Sequence, residues 1–229
     1  MREIVLDTET TGLEVNNGDR IVEIGCVELE NHIPTGRTFQ EYLNPEMEMS
    51  EKVIEIHGIT NEFVKDKPTF KEIAEKFINF IGDDSKLVIH NASFDMKFLN
   101  AELKVCHLPP LSDDRVIDTL LMARQKFPGS RVRLDDLCKR FNIDASARTV
   151  HGALLDSQLL AEVYLELIGR EPDLILASTK KETQIQTHNT EKVFHQPRSF
   201  PATDEELENH KTFVKKIPDN FWNYPEEKK

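Results

Sequence analysis

The chain has 229 residues, a length that fits one domain of about 150 to 200 residues plus additional segments. Its formal net charge of −12 argues against a protein that holds nucleic acid through a basic face alone, although an enzyme that meets phosphates through metal ions stays open. Three widely spaced cysteines, no apolar run near 18 residues and no signal-peptide pattern argue against a disulfide framework, a zinc site and a membrane protein, and indicate a cytoplasmic location.

The first third of the chain predicts strands, followed by one helix. Residues 2–7, 20–29 and 35–43 are rich in β-branched and apolar residues and are separated by turn-forming residues. The short connections favour an antiparallel meander. Apolar residues then recur at helical spacing from Phe70 to Ile81, where Gly82 follows as a stop signal.

The middle of the chain alternates strands and helices. A buried strand is predicted at 87–90 and another strand at 115–117, and helices at 92–103, 118–126, 134–141 and 153–168. Strands first, followed by alternation, predict an α/β fold in which helices flank a mixed sheet.

The composition changes after Gly169. Residues 171–202 are mostly polar and predict a flexible linker. Thr203 and Glu206 match a capping box, and apolar residues at roughly helical spacing follow, so order is expected to return in 203–229.

Two carboxylates, Asp7 and Glu9, stand near the end of the first strand. Side chains alternate along a strand, so both point to one face with their Cα atoms roughly 7 Å apart. Two like charges there repel unless a cation lies between them, and oxygen ligands of this kind suit Mg²⁺ or Mn²⁺. A solvated strand end is the alternative. Thr10, Thr11 and Gly12 favour the ligand, because they form a tight turn whose backbone can approach it closely.

Two further acids occupy unusual places. Asp95 falls in the first turn of a predicted helix and shares a face with Phe98 and Leu99; a favourable interaction with the helix dipole is the alternative to a ligand role. Asp156 lies on or beside the apolar stripe that contains Leu160, where an unpaired charge is expensive. It is therefore interpreted as a ligand in preference to a partner in a core salt bridge.

His151 precedes Asp156 by five residues. Within one helix the two side chains would point roughly 140° apart, so both reach one site only if His151 stands on the loop before the helix. Gly152 makes such a break plausible. A histidine there can take a proton from water near pH 7, whereas a lone histidine at a helix start usually faces solvent.

These residues lie in three segments that resemble a known family. LDTETTG, VIHNASFD and HGALLDSQLLAEVYL are similar, in order, to the three motifs of the DEDD exonucleases in their histidine variant. Within that family, residues 1–169 most resemble the proofreading subunits of bacterial DNA polymerase III. HGITNEF, RVRLDDLCKRFNID and, more weakly, FPATDEELENHKTFVKK support this resemblance. It implies an RNase H-like fold with a mixed sheet of about five strands, and a 3′–5′ exonuclease domain over 1–170 that uses two divalent metal ions.

The resemblance also implies roles for single residues. Asp7, Glu9 and Asp156 would hold the first metal ion, Asp7 and Asp95 the second, and His151 would be the general base. The residues implied to contact the terminal nucleotide are Asp7, Glu9, Thr10, Thr11, Leu13, His57, Asn91, Phe94 and Asp156.

The implied partners are DNA 3′ ends, the polymerase alpha subunit at 203–229, a sliding clamp and a small theta-like subunit. The clamp is the weaker hypothesis, because the apolar stretch 171–178 lacks the expected glutamine and Gln184 has one apolar neighbour. Two alternatives stay open: a stand-alone exoribonuclease of the same superfamily, and an inactive subunit that stabilises the polymerase.

Overall fold

The structure is a computed structural model that describes residues 1–148, 150–169 and 202–214. The chain divides into two compact units, Met1–Lys181 and Glu182–Lys229. Nearly all of the predicted linker, 171–202, lies outside the described residues, so its flexibility and its clamp-binding peptide stay predictions.

The first unit is built on a five-stranded mixed sheet with strand order β3-β2-β1-β4-β5. Strands β1, β2 and β3 pair antiparallel as predicted. Strand β4 pairs in parallel with β1, and β5 pairs in parallel with β4. The mixed sheet of about five strands is therefore confirmed. The strands are Arg2–Thr10 (β1), Ile21–Glu30 (β2), Ile33–Tyr42 (β3), Lys86–Ile89 (β4) and Val116–Asp118 (β5).

The central strand, β1, is three residues longer than predicted. The prediction ended at Asp7 because the next residues are polar, yet Thr8, Glu9 and Thr10 are all buried. A register shift between Glu9 and Thr10 marks the end of regular pairing with β2. The polar end of β1 is thus part of the sheet and is covered by other elements.

Seven helices are described in the first unit. The five longer ones lie close to their predicted positions, whereas α1 and α2 were not predicted. Helix α1 buries only His57 and exposes Ile56, so its sequence lacks the apolar stripe that indicates a helix. The helices are Glu51–His57 (α1), Asn61–Val64 (α2), Phe70–Ile81 (α3), Ala92–Val105 (α4), Thr119–Lys126 (α5), Leu134–Phe141 (α6) and Ala153–Leu167 (α7).

Helices cover both faces of the sheet. Ile4 and Leu6 of β1 pack in one core cluster with α3 and α4, whereas Val5 packs in another with α5, α6 and α7. Adjacent residues of a strand point to opposite faces, so the two clusters lie on the two sides of the sheet. Burial on both faces explains why β1 begins as a continuous apolar run.

In the second unit the structure describes one helix, Asp204–Val214 (α8). Its predicted capping box is confirmed: the Thr203 backbone N–H donates to Glu206 Oε2 at 2.8 Å, and the Glu206 N–H donates to Thr203 Oγ1 at 3.3 Å. The predicted continuation to Ile217 and the aromatic residues beyond it lie outside the described residues. Within the described ranges, no helix combines the length and apolarity that crossing a bilayer requires.

Candidate active site

Asp7 and Glu9 project from the end of β1, and both precede its register shift. They therefore share one face of the sheet, as predicted. Glu9 is buried and Asp7 is half-buried. On the neighbouring strand β2, Gly25 lies opposite Asp7, and Glu23 lies opposite Glu9.

Asp95 reaches the same place from the first turn of α4, as predicted. Its Oδ1 accepts hydrogen bonds from the backbone N–H of Thr8 at 3.1 Å and from Thr8 Oγ1 at 2.7 Å. The left-handed conformation of Asn91, with φ of 67°, turns the chain from β4 into α4. Asp118 stabilises this turn by accepting hydrogen bonds from the N–H groups of Asn91 and Ala92.

Asp156 is placed by the close approach of α7 to the sheet. A Cβ on Gly25 would lie 2.2 Å from backbone atoms of Ala153 and Leu154, so only glycine permits this contact. Ser157 Oγ donates to the Gly25 carbonyl at 2.9 Å, and the Ala153 N–H donates to Glu23 Oε2 at 3.0 Å. The first turn of α7 is thereby fixed against β2, and Asp156 is buried beside the carboxylates of β1.

His151 stands on the loop before α7, as its spacing from Asp156 requires. Its backbone N–H donates to the Ile56 carbonyl at 3.1 Å, and about half of its side chain is exposed. Potential ligand atoms of Glu9, His151 and Asp156 all lie within 4.8 Å of one another. The histidine and these two acids therefore converge from three separate elements.

One cation, Arg148, interacts with this cluster. Its Nε and Nη2 donate to the two carboxylate oxygens of Asp156 at 2.5 and 2.7 Å, and its Nη1 donates to Asp135 Oδ1 at 2.6 Å. Arg148 Nη2 also lies 2.9 Å from His151 Nδ1. An arginine always donates, and Nη2 lies 3.5 Å from Nε2, so the shorter contact favours Nδ1 as the acceptor and Nε2 as the protonated nitrogen of a neutral imidazole.

The carboxylates hold their protons unusually tightly. Burial raises the pKa of Glu9 to about 8, and the charges of Asp156 and Glu23 add to the effect. Burial raises the pKa of Asp95 to about 7, although hydrogen bonds from Thr8 oppose it. The pKa of Asp7 is raised well above its ordinary value by burial and then by the charges of Asp95, Glu9 and Asp156. Arg148 lowers the pKa of Asp7 and Glu9 without compensating for this excess of negative charge.

Such a cluster suits divalent cations. Several buried carboxylates within reach of one another, with raised pKa values, need more positive charge than one guanidinium supplies. Carboxylate oxygens are the ligands that Mg²⁺ and Mn²⁺ prefer. The donor set therefore fits divalent metal ions of this kind.

Most of the residues predicted to contact the nucleotide lie on or next to β1 and α4, the two elements that carry Asp7, Glu9 and Asp95. Thr10 and Thr11 are buried at the end of β1, and Leu13, 74% exposed, follows them. His57 ends α1; its Nε2 is buried and has no hydrogen-bond partner among the described residues. Burial lowers the pKa of His57 and the charge of His151 lowers it further, so the two imidazoles are neighbours. At the start of α4, Asn91 is exposed and Phe94 is half-buried.

Comparisons with known proteins identify the family of this chain. Residues 4–164 match a family model described as an exonuclease. The DNA polymerase III epsilon subunit of Rickettsia felis is 49% identical over 226 residues, covering 95% of this chain and 97% of that protein. The chain belongs to the epsilon family of DNA polymerase III exonucleases. The epsilon subunit of Escherichia coli is 43% identical over 220 residues, covering 91% of this chain and 90% of that protein.

Solved structures confirm the RNase H-like fold of this epsilon-family exonuclease. The nuclease domain of 3′hExo, a DEDDh family member bound to rAMP, aligns with a TM-score of 0.61 at 24% identity, covering 73% of this chain and 91% of that domain. Exonuclease X in complex with 5′-overhanging duplex DNA aligns with a TM-score of 0.55 at 26% identity, covering 72% and 90%.

Sequence reasoning missed three residues that shape the site of this epsilon-family exonuclease. Gly25 lies inside the predicted strand 20–29, where a glycine in an apolar run is a signal of close backbone approach. Glu23 and Arg148 were not selected. An acid within the apolar run of β2 could have signalled Glu23. Nothing in the spacing of Arg148 signals its contact with Asp156, because that contact depends on how the loop folds.

Proposed function

We propose that this chain is the proofreading 3′–5′ exonuclease of a bacterial replicative polymerase, and that it hydrolyses the terminal phosphodiester of mispaired DNA 3′ ends. Family membership supports the exonuclease activity and the polymerase III context. The observation that carries the proposal is the convergence of Asp7, Glu9, Asp95, Asp156 and His151 from four parts of the chain.

The acids are proposed to hold two divalent ions, Mg²⁺ or Mn²⁺. Asp7, Glu9 and Asp156 would ligate the first ion, and Asp7 with Asp95 the second. Two bound ions supply Lewis-acid stabilisation of the attacking and leaving oxygens of an in-line displacement. The raised pKa values support this assignment, because binding of a cation relieves the repulsion that keeps these groups protonated.

His151 is proposed to be the general base that takes the proton from the attacking water. Its half-exposed side chain lies next to Glu9 and Asp156, where a water molecule can reach it. While Arg148 donates to Nδ1, the neutral ring carries its proton on Nε2. Proton uptake at the ring therefore requires this contact to break.

The terminal nucleotide is proposed to lie against the end of β1 and the start of α4. His57 Nδ1 accepts from the Ile59 N–H at 3.0 Å, so the neutral ring carries its proton on the buried Nε2, which would donate to the nucleotide. The exposed Leu13 and half-buried Phe94 would pack on its base. The backbone of Thr10 and Thr11, and the side chain of Asn91, would offer further polar contacts.

The exonuclease domain, 1–170, is proposed to be tethered by 171–202 to a docking segment, 203–229, that binds the polymerase alpha subunit. Exposed Leu207 and Phe213 on α8 support this, because apolar side chains on a short helix suit a groove in a partner. Clamp binding near 171–186, a theta-like subunit and a cytoplasmic location are proposed on the family resemblance alone. A variant that lacks residues 180–229 should lose polymerase binding and keep nuclease activity. If this variant still bound the polymerase, the docking proposal would be contradicted.

Digestion of three substrates tests the function. A 3′-mismatched primer–template, single-stranded DNA and single-stranded RNA are incubated with the full chain in Mg²⁺ or in EDTA. Mg²⁺-dependent release of DNA 3′ nucleotides, faster at the mismatch than at a matched end, is expected, because fraying costs least there. A strong preference for RNA would indicate an exoribonuclease. Activity that is unchanged in Asp7→Ala, or absent on every substrate, would indicate a structural subunit.

A further inference from the structure

The segment from Arg124 to Arg140 has a charge opposite to that of the whole chain. It contains six basic and two acidic residues, although the chain carries 29 basic and 41 acidic ones. All six basic side chains are exposed. One of the two acids, Asp135, is committed to an ion pair with Arg148. A concentrated basic surface on an acidic protein needs a reason beyond solubility, which the net charge already provides.

Part of this segment forms an open groove of about 480 Å³, the basic groove, which is lined by Ser130, Arg131, Asp136, Lys139 and Arg140. Lys139 and Arg140 follow Asp136 by three and four residues on α6, so they share a face of the helix. The Arg140 guanidinium lies 4.4 Å from the centre of the Phe127 ring, which restricts its movement. The cations are therefore gathered on one shallow, open surface, and Arg140 is held there by its contact with Phe127.

Neighbours of the groove residues in the chain contact the catalytic region. Asp135, in the first turn of α6, bonds to the same Arg148 that holds Asp156. The backbone of Val132 and the charge of Arg124 both act on His90, which directly precedes the turn into α4. Helix α6 thus carries groove residues and, through the adjacent Asp135, a contact with the arginine that holds Asp156.

Resting on the proposed function, we infer that the basic groove binds the phosphate backbone of the DNA strand on the 5′ side of the scissile bond. Metal ions can offset charge only at the reacting phosphate, whereas the phosphates upstream meet a protein of net charge −12. Three cations and one acid suit phosphates, and no large apolar side chain lines the groove to favour a protein partner.

The test compares full-length wild type with the triple variant Arg131→Ala, Lys139→Ala, Arg140→Ala. Fluorescence anisotropy measures the Kd of a labelled ten-nucleotide single strand in EDTA. The variant is expected to raise this Kd about tenfold at 50 mM salt. Raising the salt from 50 to 200 mM should weaken binding by both proteins. Because the variant lacks three phosphate contacts, its Kd should rise by a factor about 20-fold smaller than the Kd of wild type. An unchanged Kd and salt dependence would overturn the inference.

A second substrate separates this inference from the proposed function. The p-nitrophenyl ester of thymidine monophosphate has no upstream strand, so its hydrolysis should be the same in wild type and variant, whereas the KM for the ten-nucleotide strand should rise. Failure of wild type to hydrolyse the ester and the strand would contradict the proposed function, and the Kd would still decide whether the basic groove binds DNA. An equal loss on ester and strand, without a change in Kd, would overturn the inference.

A matched control removes the same charge elsewhere. Lys71 and Lys76 on α3 and Lys104 near the end of α4 are exposed, on helices that cover the opposite face of the sheet from α6. Their triple alanine variant should change Kd by less than about twofold. An equal effect of both triple variants would show that total charge matters and the basic groove does not.

Discussion

The two ends of β1 hold buried acids in opposite circumstances. At the start of the strand, Glu3 accepts from Tyr164 Oη at 2.7 Å and from the His32 N–H at 3.0 Å. On the neighbouring strand, Glu28 is bonded by Arg2, Thr35 and Arg37. At the other end, the carboxylates of the candidate site depend on Arg148 for positive charge.

The pKa shifts show the consequence. Burial alone would raise the pKa of Glu28, but hydrogen bonds from Thr35 and Arg2 and the charges of Arg2 and Arg37 bring it below its ordinary value. Burial and neighbouring acids raise the pKa of Glu9 to about 8. Both side chains are shielded from solvent, but the desolvation cost is larger at Glu9, which acids surround, whereas two arginines bond Glu28. Desolvation and the local balance of charge together distinguish a structural carboxylate from one that is available to a ligand.

The largest expected effect is on catalysis, from Asp7→Asn. Removal of a carboxylate proposed to be shared by both ions should lower kcat on single-stranded DNA at least about 1,000-fold, which corresponds to several kcal/mol of lost stabilisation. The same change removes repulsion, so the melting temperature in EDTA should rise. Activity within tenfold of wild type, measured in Mg²⁺, would contradict the proposed role of Asp7.

Arg148→Gln removes positive charge from the candidate site, whereas Asp7→Asn removes negative charge. Without the guanidinium, the buried Asp156 loses its bidentate partner, and we expect the unfolding free energy in EDTA to fall by about 3 kcal/mol. Added Mn²⁺ should restore more stability to the variant than to wild type, because the ion no longer competes with an internal cation. Thermal melting with and without Mn²⁺ measures both effects, and an equal Mn²⁺ shift in the two proteins would show that no competition exists.

Glu28→Gln is expected to lower stability and leave activity unchanged, the reverse of Asp7→Asn. It weakens the charge-assisted bonds from Arg2 and Arg37, and because both arginines are partly exposed the cost should be about 1 kcal/mol. That corresponds to a fall of about 2 to 4 °C in melting temperature. Exonuclease activity per folded molecule should match wild type. A large loss of activity would mean that the two ends of β1 are not independent.

The sequence contains enough information to predict most of the fold and the acids of the site. Regular spacing predicted α3, α4 and α7, and the relation between His151 and Asp156 predicted a loop residue followed by a helical one. Helix α1 escaped prediction because it is held by its surroundings and lacks an apolar stripe. Local patterns cannot describe an element whose stability depends on distant contacts.

The parts of the site that escaped prediction are relations between distant segments. Gly25 matters because Ala153 lies against it, and Glu23 because it accepts from the first turn of α7. These contacts join residues about 130 positions apart, and no local periodicity records them. The charge of Arg148 was visible in the sequence, whereas its pairing with both Asp156 and Asp135 follows from tertiary structure alone.

The last expected effect is a pH dependence that separates the acids of the candidate site from Glu28. In EDTA, folded Glu9 with a pKa of about 8 binds its proton more tightly than the unfolded chain, whose value is near 4.5, so its contribution to stability falls as pH rises from about 4 to 8. Asp95, with a pKa of about 7, acts in the same direction. Glu28 acts oppositely, because its lowered pKa adds stability that is lost as pH falls below about 4.5.

The difference in melting temperature between Glu9→Gln and wild type isolates the contribution of Glu9. It should favour the variant increasingly from pH 5 to pH 8 in EDTA and shrink or reverse in Mg²⁺, because the ion stabilises the ionised carboxylate of wild type alone. A difference that is constant with pH would show that Glu9 already has a sufficient counter-charge.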